Sequence, residues 1–269
     1  MKLTVLVDNN TYIDRYYYGE PGLSIYIEDG PRRILFDCGY SDAALTNAAK
    51  MGLDLAAVDT VVLSHGHDDH GRGLSFLMQA MDCRSKKLIL HPEAFSRRYC
   101  EGEYIGLPFD EKEAAAAFDL CPSAGPLAVS DRLLWLGAVP RRHDFENRTP
   151  IGQVVENGES RDDFLPDDSA LVYRGREGLF IISGCAHAGI CNVIDYACEV
   201  CGTQRVWGVL GGFHLLKQGP QLEQTIDFFA QRGITNLWPC HCVNFKAKAA
   251  IHSRIPIHEV GVGMELIVE

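Results

Sequence analysis

Val61-Val62-Leu63-Ser64-His65-Gly66-His67-Asp68-Asp69-His70-Gly71-Arg72-Gly73 is the stretch from which the rest of this chain is read. It opens as a β-branched, apolar run suited to a buried strand. The run then stops, and three histidines and two aspartates follow within six positions. A glycine-punctuated segment leads on to Leu74, Leu77, Met78 and Met81, whose spacing predicts a helix. The polar cluster therefore belongs to a loop between a strand's carboxyl end and a helix's start, where open α/β sheets place their active sites.

Neutral imidazoles and carboxylates are the usual ligands of zinc and other borderline divalent ions. His65 and His67 are two apart, so in an extended turn both reach one ion. Asp69 and His70 point away from that pair and can serve a second ion nearby. Helix capping by Asp68 or Asp69 accounts for one aspartate. It does not account for three of the chain's ten histidines in a single loop.

Composition narrows the remaining choices. With 269 residues, 46% hydrophobic and 23% charged, the chain has apolar material for a sizeable core. A net charge of −11, with no long basic run, argues against nucleic acid or an anionic membrane surface as partner. It leaves a small-molecule substrate, even an anionic one, because bound metal inverts the local field. The start, Met1-Lys2-Leu3-Thr4, is charged too soon for a signal peptide, and no apolar run approaches a membrane span. Ten cysteines without a secretion signal fit a reducing, cytoplasmic setting.

Taken in order, residues 3–7 read as a strand. Residues 23–27 and 33–36 form a hairpin about Asp29-Gly30-Pro31, and 42–51 a helix closed by Gly52. Tyr12 to Tyr18 is an aromatic-rich loop. Residues 87–90 form a strand, 93–99 a short helix, 111–118 a helix and 133–136 a strand. The charged, turn-rich segment 140–168 reads as a surface rim or lid. Then a rhythm sets in. Strands near 179–182, 206–210 and 234–238 end in Ser183-Gly184-Cys185-Ala186-His187, Gly211-Gly212-Phe213-His214 and Pro239-Cys240-His241-Cys242, each followed by a helix. Residues 255–260 and 264–268 close the chain as a hairpin about Gly261. With 61–81 there are four strand–histidine–helix units, and no composition break divides them, so one domain over 1–269 is expected.

These motifs, in this order, resemble the metallo-β-lactamase fold superfamily, of which His65-Gly66-His67-Asp68-Asp69-His70 is a complete His-x-His-x-Asp-His signature. Asp37-Cys38-Gly39 and the three later strand ends narrow the resemblance. They look like the branch holding archaeal dihydropterin–ribofuranosylaminobenzene phosphate synthases and related bacterial hydrolases. The resemblance implies an α/β fold, a four-layer αβ/βα sandwich with two divalent metal ions at the strand ends, zinc foremost and manganese or iron as alternatives. Carried over by position, His65 and His67 match the first-metal pair, and Asp69 and His70 the second. His187 completes the first site and His241 the second. Where the superfamily commonly has a bridging aspartate, this chain has Cys185, a further ligand candidate.

The expected activity is metal-dependent hydrolysis of a small ester, phosphoester or lactone. Asp69 would orient the water, and His214 would serve a developing oxyanion, protonate the leaving group or ligate metal. The alternative is a synthase of the pterin type, in which metal assists pyrophosphate departure while an arylamine attacks. A redox di-iron role resembles a branch that has Glu where His67 stands, so it is set aside. Cys198-x-x-Cys201 and Cys240-x-Cys242 raise a structural zinc, but buried apolar thiols account for them more simply. His91, His143, His252 and His258 read as structural, and a homodimer is left open.

Overall fold

The strand that carries the histidine loop lies inside a seven-stranded mixed sheet. The computed structural model describes residues 1–146 and 148–269, which cluster into two compact units. The first is Met1–Ala124, Pro150–Asp167 and Gly261–Ile267; the second is Gly125–Thr149, Asp168–Val260 and Val268–Glu269. Asn147, inside the segment expected at 140–168, lies outside the described residues.

In the first unit, β1 (Lys2–Val7), β2 (Ser24–Asp29), β3 (Arg32–Phe36), β4 (Thr60–Val62), β5 (Lys87–Leu90), β8 (Asp119–Pro122) and β17 (Glu265–Ile267) lie in the order β17-β1-β2-β3-β4-β5-β8. The hairpin half is antiparallel, and the pairs from β3 to β8 are parallel. Parallel pairing demands crossovers, and α1 (Ala43–Met51), α2 (Asp68–Gly71), α3 (Gly73–Ala80) and α4 (Glu111–Ala117) lie on them. Gly52 ends α1 in the left-handed region, its N–H returned to the Ala48 and Ala49 carbonyls. Asp110 and Glu113 cap α4 reciprocally. One face of the sheet, with Leu6, Leu35, Val61, Leu63, Leu88 and Leu90, packs on Ala44, Ala48, Leu74 and Leu77 of the helices. Burial of each leucine stabilises by about 1.5–3 kcal/mol.

A second, antiparallel sheet of this unit runs β12-β11-β6-β7, from β6 (Arg98–Cys100), β7 (Glu103–Tyr104), β11 (Gln153–Glu156) and β12 (Glu159–Asp162). The helix expected over 93–99 is therefore only one 3₁₀ turn, Pro92–Phe95. Arg98 leaves the helical path because its backbone pairs with β11 and its side chain is drawn into a buried ion pair. Residues 150–167 are on the surface as expected, yet they hold a hairpin and two fully buried aspartates, Asp163 and Asp167.

The closing hairpin does not form either. Glu265–Ile267 pairs with β1, where an unpaired edge would otherwise be exposed, and Ile257 bridges Leu237.

In the second unit, β9 (Leu127–Ala128), β10 (Leu133–Trp135), β13 (Ala170–Gly175), β14 (Gly178–Ser183), β15 (Val206–Gly211) and β16 (Asn236–Pro239) lie in the order β16-β15-β14-β13-β10-β9. β14, β15 and β16 are adjacent and parallel, so their carboxyl ends share one edge. α5 (Ile190–Cys201), α6 (Pro220–Gln231) and α7 (Phe245–Arg254) follow them in turn. Val172, Ile181, Val209 and Leu237 pack on Ile194, Ile226, Phe229 and Ile251 to make this unit's core. Among the described residues no helix is long and apolar enough to cross a membrane.

Candidate metal centre

The first unit builds its ligand-type cluster around a carboxylate. Asp37 ends β3 at φ 54° and is fully buried. It accepts the Ser64 N–H at 2.7 Å and the Ser64 hydroxyl at 2.8 Å, and faces His70 Nδ1 at 2.7 Å. Because the Ser64 hydroxyl is spent on Asp37, its oxygen accepts from His65 Nδ1, 2.9 Å away. Both imidazoles are thereby held with the proton on Nδ1 and the lone pair on Nε2, the form that ligates metal. His65 Nε2 then stands 3.0 Å from His67 Nδ1. Two nitrogens bound to one tetrahedral zinc are separated by roughly 3.3 Å. One ligand atom from each of His65, His67 and Asp69 lies within 4.8 Å of the others, and His70 Nε2 is 3.7 Å from an Asp69 oxygen. The donor set, imidazole and carboxylate on a buried loop, fits a divalent ion.

Gly66 is what lets that loop close. A Cβ there would lie 2.0 Å from the Ala94 carbonyl oxygen and 2.4 Å from the Arg98 guanidinium. Its N–H donates to Asp167 at 2.8 Å, and Arg98 donates to Asp167 at 2.6 Å and to Asp163 at 2.8 Å. A fully buried cation between two buried carboxylates thus pins the backbone between His65 and His67. Asp68, half-buried at the start of α2, has its carboxyl raised by burial and by the neighbouring Asp69.

The second unit uses a different device. The turns after β14, β15 and β16 place Ala186, His214 and His241 at φ 55°, 47° and 49°. Non-glycine residues seldom adopt that region, and it clusters where function demands it. The turns interlock, with Gly212 N–H donating to Gly184 at 3.0 Å and Cys240 N–H to Gly211 at 2.9 Å. Asp168 accepts the Ala188 N–H at 2.8 Å, and Arg141 donates to the His187 carbonyl at 2.8 Å. The His187 and His214 rings are 4.5 Å apart. Ligand atoms of Cys185, His214 and Cys242 fall within 4.8 Å of one another. Burial pushes the Cys242 thiol up, but hydrogen bonds with Cys185 and His214 and the charges of His241 and His214 outweigh it, leaving the thiol well below its ordinary value. Cys38, Cys191 and Cys198 go the other way, raised chiefly by burial.

Within the first unit, Asp69, expected to point away with His70, brings a ligand atom to His65 and His67, and His70 lies beside Asp69. Within the second, Cys185 and His214 meet each other, and His214 meets His187. Sequence reasoning passed over Cys242, Asp37 and the Arg98–Asp167 pair. Of these, Asp37 and Cys242 stood inside quoted motifs, at a strand end, whereas nothing local marks Arg98. The other histidines take structural roles. His91 accepts the Glu93 N–H, His143 pairs with Asp195, His252 accepts the Ile257 N–H, and His258 stacks on Trp238.

Comparison with known proteins supports the fold. The sequence model of the metallo-beta-lactamase superfamily matches residues 17–196. Uncharacterized protein MJ0448 of Methanocaldococcus jannaschii is 32% identical over 247 residues, 91% of either chain. The 7,8-dihydropterin-6-methyl-4-(beta-D-ribofuranosyl)-aminobenzene-5'-phosphate synthase of the same archaeon is 28% identical over 265 residues, 92% of this chain and 89% of that one. Among solved structures, Tm1679, a metal-dependent hydrolase of the beta-lactamase superfamily, superposes with a TM-score of 0.83 at 31% identity, covering 100% of this chain and 99% of that one.

Proposed function

This chain belongs to the metallo-β-lactamase superfamily and has its fold, and from that membership we propose that it is a metal-dependent hydrolase of a small ester, phosphoester or lactone. The observation that carries the reading is the chelating set of His65, His67 and Asp69, with imidazole protonation fixed by Asp37. The ligands we propose for two divalent ions are His65, His67, Asp69 and His70 of the first unit and Cys185, His187 and His241 of the second. Zinc suits the imidazole-rich donors. Bound there, two such ions would polarise a substrate oxygen and lower the pKa of a water to about 7.

The chain's own residues supply the rest. Asp69, half-buried in the first turn of α2, accepts a hydrogen bond from the attacking water and orients it. Asp37 keeps the His70 lone pair directed outward. No serine or cysteine nucleophile is required. The proposed partner is a small molecule.

Elemental analysis beside a panel of esters, phosphoesters and lactones tests this. About two equivalents of metal, with turnover abolished by chelation and by His65→Ala with His67→Ala, is the expected result. A fully active metal-free protein would refute it.

The likeness to the archaeal synthase favours a second reading, a pterin-type phosphate synthase that releases pyrophosphate. Incubation with a dihydropterin pyrophosphate and an arylamine decides between them. Coupled product together with free pyrophosphate would establish the synthase, and hydrolysis alone would exclude it.

A further inference from the structure

We propose that Cys185, His214 and Cys242 of the second unit form a thiolate-bearing metal group that selects zinc or iron over manganese and magnesium. This deepens the reading above, on which it rests for the premise that the protein binds metal, and it names the class of ion.

Three turns that are distant in sequence deliver one ligand atom each to a space no wider than 4.8 Å. In a tetrahedral zinc site with bonds of about 2.3 Å to sulfur and 2.0–2.1 Å to nitrogen, ligand atoms stand roughly 3.4–3.8 Å apart. The observed spread accommodates that. The Cys242 thiol donates to the Cys185 carbonyl at 3.6 Å, which draws the two cysteines' turns together.

The backbone is shaped to admit the sulfur. A Cβ at Gly212 would lie 2.5 Å from Cys242 Sγ and 2.4 Å from the Gly184 carbonyl oxygen, so only glycine leaves the thiol its place. His214 comes to the cluster from a left-handed turn, a conformation that non-glycine residues seldom adopt. Meanwhile Phe213, the residue before it, is fully buried in the core and sets the turn's orientation.

Core filling does not explain this arrangement. Cys191 and Cys198 fill the helix-packed core of the same unit and belong to no group of ligating atoms among the described residues. That also separates Cys242 from a zinc ribbon with Cys198-x-x-Cys201. Two thiols and an imidazole are soft to borderline donors, which suit zinc and iron and serve manganese and magnesium poorly. Under this assignment His214 is a ligand, one of the roles its strand-end position allows.

The test uses the full chain, stripped of metal and titrated anaerobically with cobalt(II). Thiolate ligation produces a near-ultraviolet sulfur-to-cobalt charge-transfer band that imidazole and carboxylate do not. The wild-type protein should show it. Cys242→Ser should lose about half its intensity, and Cys185→Ser with Cys242→Ser all of it, in proportion to the sulfur donors removed. His65→Ala with His67→Ala should keep the band while binding less cobalt. Cobalt bound without the band, or a band untouched in the double cysteine variant, overturns the thiolate group and leaves the metal-dependent reading standing. No cobalt bound by the wild type overturns both. Should the cysteine variants not fold, X-ray absorption of zinc-loaded wild-type protein decides. Sulfur scatterers at about 2.3 Å are expected, and a shell of nitrogen and oxygen alone contradicts the group.

Discussion

The two units hold the side chains proposed as metal ligands by opposite means. In the first, contiguous residues of one loop are oriented by buried charge. Asp37 sets two imidazoles, directly and through Ser64, and the Arg98–Asp163–Asp167 cluster pins the glycine between His65 and His67. In the second, three separate strand ends are oriented by backbone, with left-handed turns, interlocked amides and a glycine contact. Electrostatic positioning fixes protonation as well as place, because a carboxylate chooses which ring nitrogen carries the proton. Backbone positioning fixes place alone, which suits thiols that ligate through a single atom.

The contrast can be broken at several points. The largest effect is expected from His65→Ala with His67→Ala, which removes the pair that defines the first unit's site. Turnover should fall at least about 10³-fold, since metal stabilisation is worth several kcal/mol and 1.36 kcal/mol is tenfold. Steady-state kinetics with the best substrate measures it. Next comes Arg98→Met, which strands two buried carboxylates. Chemical denaturation should show a loss of about 3–5 kcal/mol, and a neutral result would mean the cluster does not pin the loop.

Asp37→Asn probes protonation more finely. An amide keeps only one acceptor oxygen, so it cannot accept both from the Ser64 N–H on Oδ1 and from the Ser64 hydroxyl and His70 Nδ1 on Oδ2, and the arrangement that frees the His70 Nε2 lone pair is disturbed. Metal affinity should weaken about 10–100-fold with the fold retained, as read by competition with a chelator. Gly212→Ala is the corresponding change in the second unit. Overpacking against Gly184 and Cys242 should cost about 1–3 kcal/mol of stability in a thermal melt. The smallest effect belongs to Asn244→Ala, at the start of α7 just after the last strand-end turn. Its side chain accepts the Lys246 N–H at 2.7 Å, and its loss should cost about 1 kcal/mol with metal content unchanged.

The same contrast explains what was legible beforehand. His65 to His70 could be read because ligands, turn and helix start are consecutive, and a carboxylate between histidines has few other uses. The parallel strands β14, β15 and β16 were readable from apolar runs ending in Gly and His. Asp37 was visible as a motif but not as a role, because its partners Ser64 and His70 are 27 and 33 residues away. Cys242 reads as one more apolar thiol until the fold sets it 57 residues back along the chain, against Cys185. Arg98 and Asp167, 69 apart, left no local signal, and the pull of that pair is why the 93–99 helix does not form. The closing hairpin failed for a similar reason. Its second strand satisfies the edge of β1, a tertiary demand that periodicity does not encode.

The most direct measurement is anomalous diffraction at the zinc edge from crystals grown with zinc. An ion about 2.0–2.1 Å from ring nitrogens of His65 and His67, with another about 2.3 Å from a cysteine sulfur of the second unit, is the predicted result. Anomalous density confined to surface residues, with none at His65 and His67, would contradict it.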